Sequence, residues 1–191
     1  MPPEWDANFR DLTLRNVRIS DNVAYVATTE GIDIVDISDL EHPRILNHWP
    51  SGSTNDLKVF DVGGRRYVAN VGDNLIVDVT EPTALRRVSM SDFTYVAHTL
   101  FAETRGGKSY LYFAELDGTA SIYNVSDPTN PQHPGEFVTG ASTVHGMVVD
   151  RGIPYINAWE EGLFRVDFTD PARPRETGHW AGTSHATSHS S

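Results

Sequence analysis

The chain of 191 residues has no cysteine, which excludes disulfides, thiolate nucleophiles and Cys-ligated zinc or iron–sulfur centres. Lysine is nearly missing as well: Lys58 and Lys108 stand against 13 arginines. No run approaches the ~18 apolar residues that a membrane helix requires. The opening MPPEWDANFR has neither the basic nor the apolar region of a secretory signal. No window repeats its apolar residues with a period of 3.6, so little or no helix is expected. The G-x-S-x-G elbow, the P-loop and a strand-to-helix G-x-G-x-x-G are all absent. Basic charge is scarce too: 26 acidic residues oppose 15 basic ones, and a formal net charge of -11 repels nucleic-acid phosphates. Such an excess, with so little lysine, suits a salt-adapted surface as well as an ordinary acidic one. With 39% hydrophobic residues the chain has enough for a core, and its length fits one domain or part of one.

What is present is a repeat. Val35-Asp36-Ile37-Ser38-Asp39, Val77-Asp78-Val79-Thr80-Glu81-Pro82, Tyr123-Asn124-Val125-Ser126-Asp127-Pro128 and Val166-Asp167-Phe168-Thr169-Asp170-Pro171 follow one another at intervals of 42, 46 and 43 residues. A tyrosine (Tyr25, Tyr67, Tyr112, Tyr155) precedes each Ser/Thr by 13 or 14 residues. Two anchors in fixed phase at a period in the forties, with several short strands per unit, predict an all-β protein of β-propeller-type repeats. Four four-stranded antiparallel blades are expected at about 14–50, 54–90, 94–138 and 142–180. Residues 1–13 form an N-terminal extension or closing strand in this scheme, and 181–191 the start of a fifth blade or a tail.

In the first unit the strands read Asn16 to Ile19, Val23 to Thr28, Ile32 to Ile37 and Arg44 to Trp49, rich in β-branched and aromatic types and bounded by Asp, Asn, Gly and Pro. Side chains alternate along a strand, so Ile34 and Asp36 share one face and Val35 and Ile37 the other. One acid or amide per unit, at Asp36, Asp78, Asn124 and Asp167, fits a structural role: each is expected to accept hydrogen bonds from nearby backbone and hydroxyl donors. The Ser/Thr-Asp/Glu-Pro that follows makes a turn.

At this cassette the chain resembles the LVIVD-repeat family, named for its third-strand consensus. Leu75-Ile76-Val77-Asp78 nearly reproduces the motif and Ile32-Asp33-Ile34-Val35-Asp36 is close, whereas Ser121 to Asn124 and Phe164 to Asp167 are degenerate copies. The resemblance covers about residues 14–180. It implies propeller repeats of bacterial and archaeal proteins, many secreted or at the cell surface, with no general activity. Four blades is the low end for closure, and another inner strand is expected to begin after Trp180, so a piece of a longer member is expected; a complete four-bladed ring is the alternative. An open terminal blade would leave the chain marginally stable, aggregation-prone or dimerised through that edge.

Aligning the units places Asn16, Asp56, His98 and His145 at the start of successive innermost strands, with His185 or His189 as a fifth. In a propeller these positions converge on one axis, near the second-to-third-strand loops that carry Glu30, Asp73, Glu115, Asp117, Glu160 and Glu161. Imidazole and carboxylate suit a divalent metal ion, and His98, His145, Asp56, Glu115 and His189 are the candidate ligands. The same residues also suit bonding to channel water or backbone carbonyls, and no HExxH-like spacing fixes a ligand set. His42, His48, His133 and His179 fall in outer loops or fourth strands as surface or packing residues. Adjacent Glu160 and Glu161 point apart and do not make an acid/base pair. Trp159 beside them suits either a sugar-stacking platform or a place in the blade core.

Two functional readings follow. One is a binding or scaffold module presenting its loop-rich face to a protein or small-molecule ligand, with no transmembrane segment. The other is a metal-dependent hydrolase, lyase or oxidase centred on the channel.

Overall fold

A computed structural model describes residues 13–88 and 96–181. The chain forms two compact units, 1–88 and 89–191. In the first, one antiparallel sheet is built in sequence order from β1 (Leu14–Ser20), β2 (Val23–Thr28), β3 (Gly31–Asp36) and β4 (Arg44–Pro50). A second consists of β5 (Asp56–Val62), β6 (Arg65–Val71), β7 (Ile76–Asp78) and β8 (Arg86–Arg87). The other unit repeats the plan with β9 (Ala97–Arg105), β10 (Lys108–Glu115), β11 (Thr119–Asn124) and β12 (Gln132–Val138), then β13 (Val144–Asp150), β14 (Ile153–Ala158), β15 (Gly162–Asp167) and β16 (Arg175–Trp180). These are four propeller-type blades, each an all-next-neighbour meander. Among the described residues the helical content is one 3-10 turn, Trp159–Glu161. None of it is long and apolar enough to cross a membrane. The expected start of a fifth blade, with His185 and His189, lies outside the described residues.

Local chemistry explains the meander. The β5–β6, β9–β10 and β13–β14 hairpins turn on Gly63-Gly64, Gly106-Gly107 and Arg151-Gly152, each pair with φ between 50° and 77°. Two successive positive φ values match the right-handed twist of the flanking strands, and glycine adopts them without a Cβ clash.

Blades in each unit pack face to face. In the first, Tyr25, Ile32 and Ile34 lie against Leu57, Val68 and Val77. In the second, Tyr112 and Ile122 lie against Ile156, Phe164, Val166 and Phe168. The Tyr112 and Phe168 rings meet edge to face at 6.0 Å, a geometry that suits their quadrupoles. Burying such side chains contributes about 1.5–3 kcal/mol apiece relative to leaving them in water. A polar clasp borders this seam. The Tyr112 hydroxyl donates to Glu103 Oε2 at 2.9 Å, and the Gly152 amide donates to Glu103 Oε1 at 2.9 Å. Arg105 donates to the Phe168 carbonyl at 2.6 Å. Burial first, and then the Glu103 carboxylate, raise the Tyr112 pKa, so its hydroxyl remains a donor.

The third-strand acids hold their own turns. The carboxyl or amide oxygen of Asp78, Asn124 and Asp167 accepts from both the amide and the hydroxyl of the Thr or Ser two residues on, at 2.6–3.0 Å. Asp36 accepts from the Ser38 amide at 2.9 Å. An arginine from the fourth strand, Arg44, Arg86 or Arg175, reaches the other oxygen of each acid. Blade three, with Asn124 in place of an acid, keeps the turn without an ion pair.

Candidate functional site

The innermost strands β9 and β13 lie side by side in the second unit. Both begin with a β-bulge. In β9, Ala97 pairs with Glu115 and Thr99 with Ala114, so His98 is the extra residue; in β13, Val144 pairs with Ala158 and Gly146 with Asn157, so His145 is the extra residue. A bulge re-aims the inserted side chain and locally ends strict pairing. The two imidazoles are thereby brought to a centroid separation of 4.2 Å, and the Trp159 indole lies 5.1 Å from His145. His98 Nδ1 sits 2.9 Å from the His145 carbonyl oxygen. A carbonyl only accepts, so Nδ1 carries the proton and Nε2 holds the lone pair of the neutral ring. All three rings are half-buried.

The 3-10 turn bearing Trp159 is anchored on both sides. Glu160 accepts from the Ser142 amide at 2.8 Å and from its hydroxyl at 2.9 Å; the hydrogen bond from its own amide, and then these two, hold its pKa below the usual glutamate range. His179 Nε2 donates to the Glu161 carbonyl at 2.7 Å while its ring stacks on Phe164 at 3.9 Å. His133 likewise stacks on Tyr123, and His42 and His48 face Asp39 and Asp33.

Backbone register revises the equivalence drawn from the repeat. Asn16 pairs with Ala27, after a bulge at Arg15, whereas β5 has no bulge and Asp56 pairs with Val71. Asp56 is therefore not the counterpart of the two histidines. Its buried carboxylate is engaged by two cations and an amide: Lys58 Nζ lies 2.9 and 2.7 Å from its two oxygens, Arg18 donates at 3.2 Å and the neutral Asn16 side chain at 2.8 Å. It clamps the first blade to the second. Burial lowers the Lys58 pKa and Asp56 raises it in part. Glu115 is buried at the end of β10 and accepts a hydrogen bond from Ser121. Among the described residues no group of three or more His, Cys, Asp or Glu side chains is arranged to hold a metal ion. His189 lies outside them. Nothing in the 47-residue spacing of His98 and His145 announces a bulge, since one inserted residue per strand is invisible to an alignment by interval.

Four next-neighbour sheets of this kind define a propeller-type repeat protein. Residues 14–47 match the family model of the LVIVD repeat, so the first blade is an LVIVD repeat. No curated protein matches the chain. Among solved structures the fold is similar to a functionally unknown protein from Desulfotomaculum acetoxidans (TM-score 0.69, 11% identity, 90% of this chain and 57% of that one). It is also similar to BBS1N in complex with ARL6DN (TM-score 0.56, 12% identity, 82% and 47%) and to the dihydro-heme d1 dehydrogenase NirN in complex with DHE (TM-score 0.57, 11% identity, 87% and 38%). The chain spans about half the length of these structures. At such identities the likeness is one of fold, on which a protein-binding domain and an enzyme both occur.

Proposed function

We propose that the chain is a binding module whose second unit takes a ligand with a flat face, an aromatic ring or a sugar, on the His98–His145–Trp159 ladder. The observation that supports this reading is the ladder itself. Three half-exposed rings, supplied by two blades and a turn, keep π faces in partial contact with water that burial elsewhere in the unit would have covered. Stacking platforms with a few fixed polar groups are how concave sites take planar ligands. Exposed Glu160 and Glu161 beside the ladder favour a neutral or cationic ligand over an anion. An amide-resolved NMR screen of aromatic, saccharide and anionic fragments tests it. Hits are expected among the first two classes, shifting Trp159 Nε1–H and the His98 and His145 signals, and they should vanish in Trp159→Ala. Fragments that bind elsewhere, or persist unchanged in that variant, refute the reading.

A divalent metal ion on His98 and His145 is the second reading, and with it the metal-dependent enzyme. It is favoured by the His98 tautomer, since a ligating histidine commonly donates its other ring N–H to a carbonyl and keeps Nε2 for the metal. Metal retained in stoichiometric amount by purified protein and lost in a His98→Ala/His145→Ala variant would support it; metal-free protein that does not take up zinc would end it.

A further inference from the structure

Of the ten asparagines in the chain, Asn124 alone is followed two places on by a serine or threonine, in Asn124-Val125-Ser126. Asn-x-Ser/Thr with any residue but proline between is the acceptor signature for N-linked glycans. So short a signature also arises by chance, and its weight depends on where the fold places it. The same cassette in the other three blades holds Asp36, Asp78 and Asp167, followed at the same spacing by Ser38, Thr80 and Thr169. One amide in place of a carboxylate is therefore the whole difference between a plain turn and the signature.

The two arms of the Asn124 amide are used differently. Oδ1 points into the turn and accepts from the Ser126 amide at 3.0 Å and the Ser126 hydroxyl at 2.7 Å. Nδ2, on the opposite arm, has no hydrogen-bond partner among the described residues and is not sealed from solvent. Across the ladder from the acid the other blades set an arginine, Arg44, Arg86 or Arg175. Asn124 instead pairs with exposed Gln132, whose side-chain amide is turned away to the carbonyl of Asn130 at 3.1 Å and its Oδ1 at 3.0 Å. Asp127 and His133 nearby are exposed as well. Asn124 closes β11 at the end opposite Thr119, which lies level with the His98 bulge. Five steps of about 3.3 Å put about 17 Å between the two ends, so a group carried on Asn124 stands clear of the ring ladder.

We propose that Asn124 is an N-glycan attachment site at the end of blade three remote from the ring ladder. Its substrate is an oligosaccharide carried on a polyprenyl diphosphate. Nδ2 forms a bond to the anomeric carbon of the first sugar as the bond from that carbon to the diphosphate oxygen breaks. The diphosphate leaves with the electron pair, and Nδ2 gives up one proton to a base of the transferase. The product is a secondary amide whose Oδ1 still accepts both Ser126 bonds, so the turn survives the modification. The proposal commits the chain to the compartment where the transferase meets its carrier lipid.

The full chain, sent behind an export signal through a host that N-glycosylates, tests this by intact mass and peptide mapping. A glycan increment should sit on the peptide that carries Asn124, and peptide N-glycanase should remove it, leaving an aspartate there. The increment should be lost in Asn124→Asp, which keeps an acceptor for the turn as Asp78 does, and in Ser126→Ala, and it should be kept in Ser126→Thr. Secreted wild type at its unmodified mass overturns the proposal, as does an increment that persists in Asn124→Asp. Should the chain not be exported, purified oligosaccharyltransferase acting on the full chain with a lipid-linked glycan decides, and no transfer to Asn124 refutes the site. A glycosylated chain that unfolds in urea well before Asn124→Asp would show that the fold does not accommodate the group, and that too would overturn it. The fragment screen reads the opposite end of the blade, so the binding reading and the glycan site stand or fall separately.

Discussion

Replacing Asp78 separates the value of a turn from the value of a charge. Its carboxylate is almost fully buried, accepts the Thr80 amide at 3.0 Å and the Thr80 hydroxyl at 2.6 Å through Oδ1, and meets Arg65 and Arg86 through Oδ2. Burial opposes ionisation, yet the Thr80 and arginine hydrogen bonds overcome it and lower the pKa from 3.8 to about 2. At 1.36 kcal/mol per unit this corresponds to about 2 kcal/mol favouring the ionised form in the folded state. A depressed pKa contributes stability that is complete above the unfolded value and is lost as pH falls through the folded one, so the loss runs from about pH 5 to about pH 1. Asp78→Asn keeps an acceptor for Thr80, as Asn124 does for Ser126 at 3.0 and 2.7 Å, and should cost about 2 kcal/mol at pH 7. Asp78→Ala removes the turn bonds too, each worth about 1 kcal/mol, and should cost about 4 kcal/mol. Urea unfolding at pH 7 and at about pH 3 measures both. At the lower pH the gap between wild type and Asp78→Asn should narrow, while that between the two variants persists. Equal costs for Asn and Ala at pH 7 would refute the division.

Three further outcomes are expected. Tyr25→Ala and Tyr112→Ala, each at a side chain 1% exposed, should cost about 3–5 kcal/mol in urea unfolding, whereas Tyr155→Ala, at the same place in the repeat but 40% exposed, should cost about 1 kcal/mol or less; a comparable loss at all three would show that repeat position rather than burial governs. Gly118→Ala should cost more than about 3 kcal/mol, because at φ 86° a Cβ would sit 2.0 Å from the Ala141 carbonyl oxygen, while Gly63→Ala, with nothing within 4 Å, should cost about 1–2 kcal/mol for its positive φ alone. Lys58→Met should destabilise by about 3–5 kcal/mol, since it leaves the buried Asp56 carboxylate short of a cation; a thermal shift near zero would mean Arg18 suffices.

The blade plan was legible because it is written in local contacts. The Ser/Thr two residues after each third-strand acid closes a turn that needs no distant partner, and the paired glycines of two hairpins dictate their own φ signs. Strand limits drifted where a tertiary partner sets them. β1 runs from Leu14 to Ser20, beyond the expected Asn16 to Ile19 at both ends, because its pairing with β2 continues there. The site was less legible. The repeat alignment places His98 and His145 at like positions, but the bulges that aim them, the Trp159 ring beside them and the cations around Asp56 depend on register, which a one-residue insertion changes without altering the repeat interval.

The amino-acid order alone determined a tandem array of four meandering sheets, the turn chemistry of each cassette and the absence of thiol chemistry, since periodicity and composition are properties of the string. Tertiary structure decided which equivalent residues differ: that Tyr112 is sealed and Tyr155 exposed, that Asp56 is an ion-paired clamp, and that Glu115 is a buried acid with one oxygen unmatched among the described residues. The reason is that burial and charge pairing are set by what the neighbouring blade presents, and that neighbour is some forty residues away in the chain.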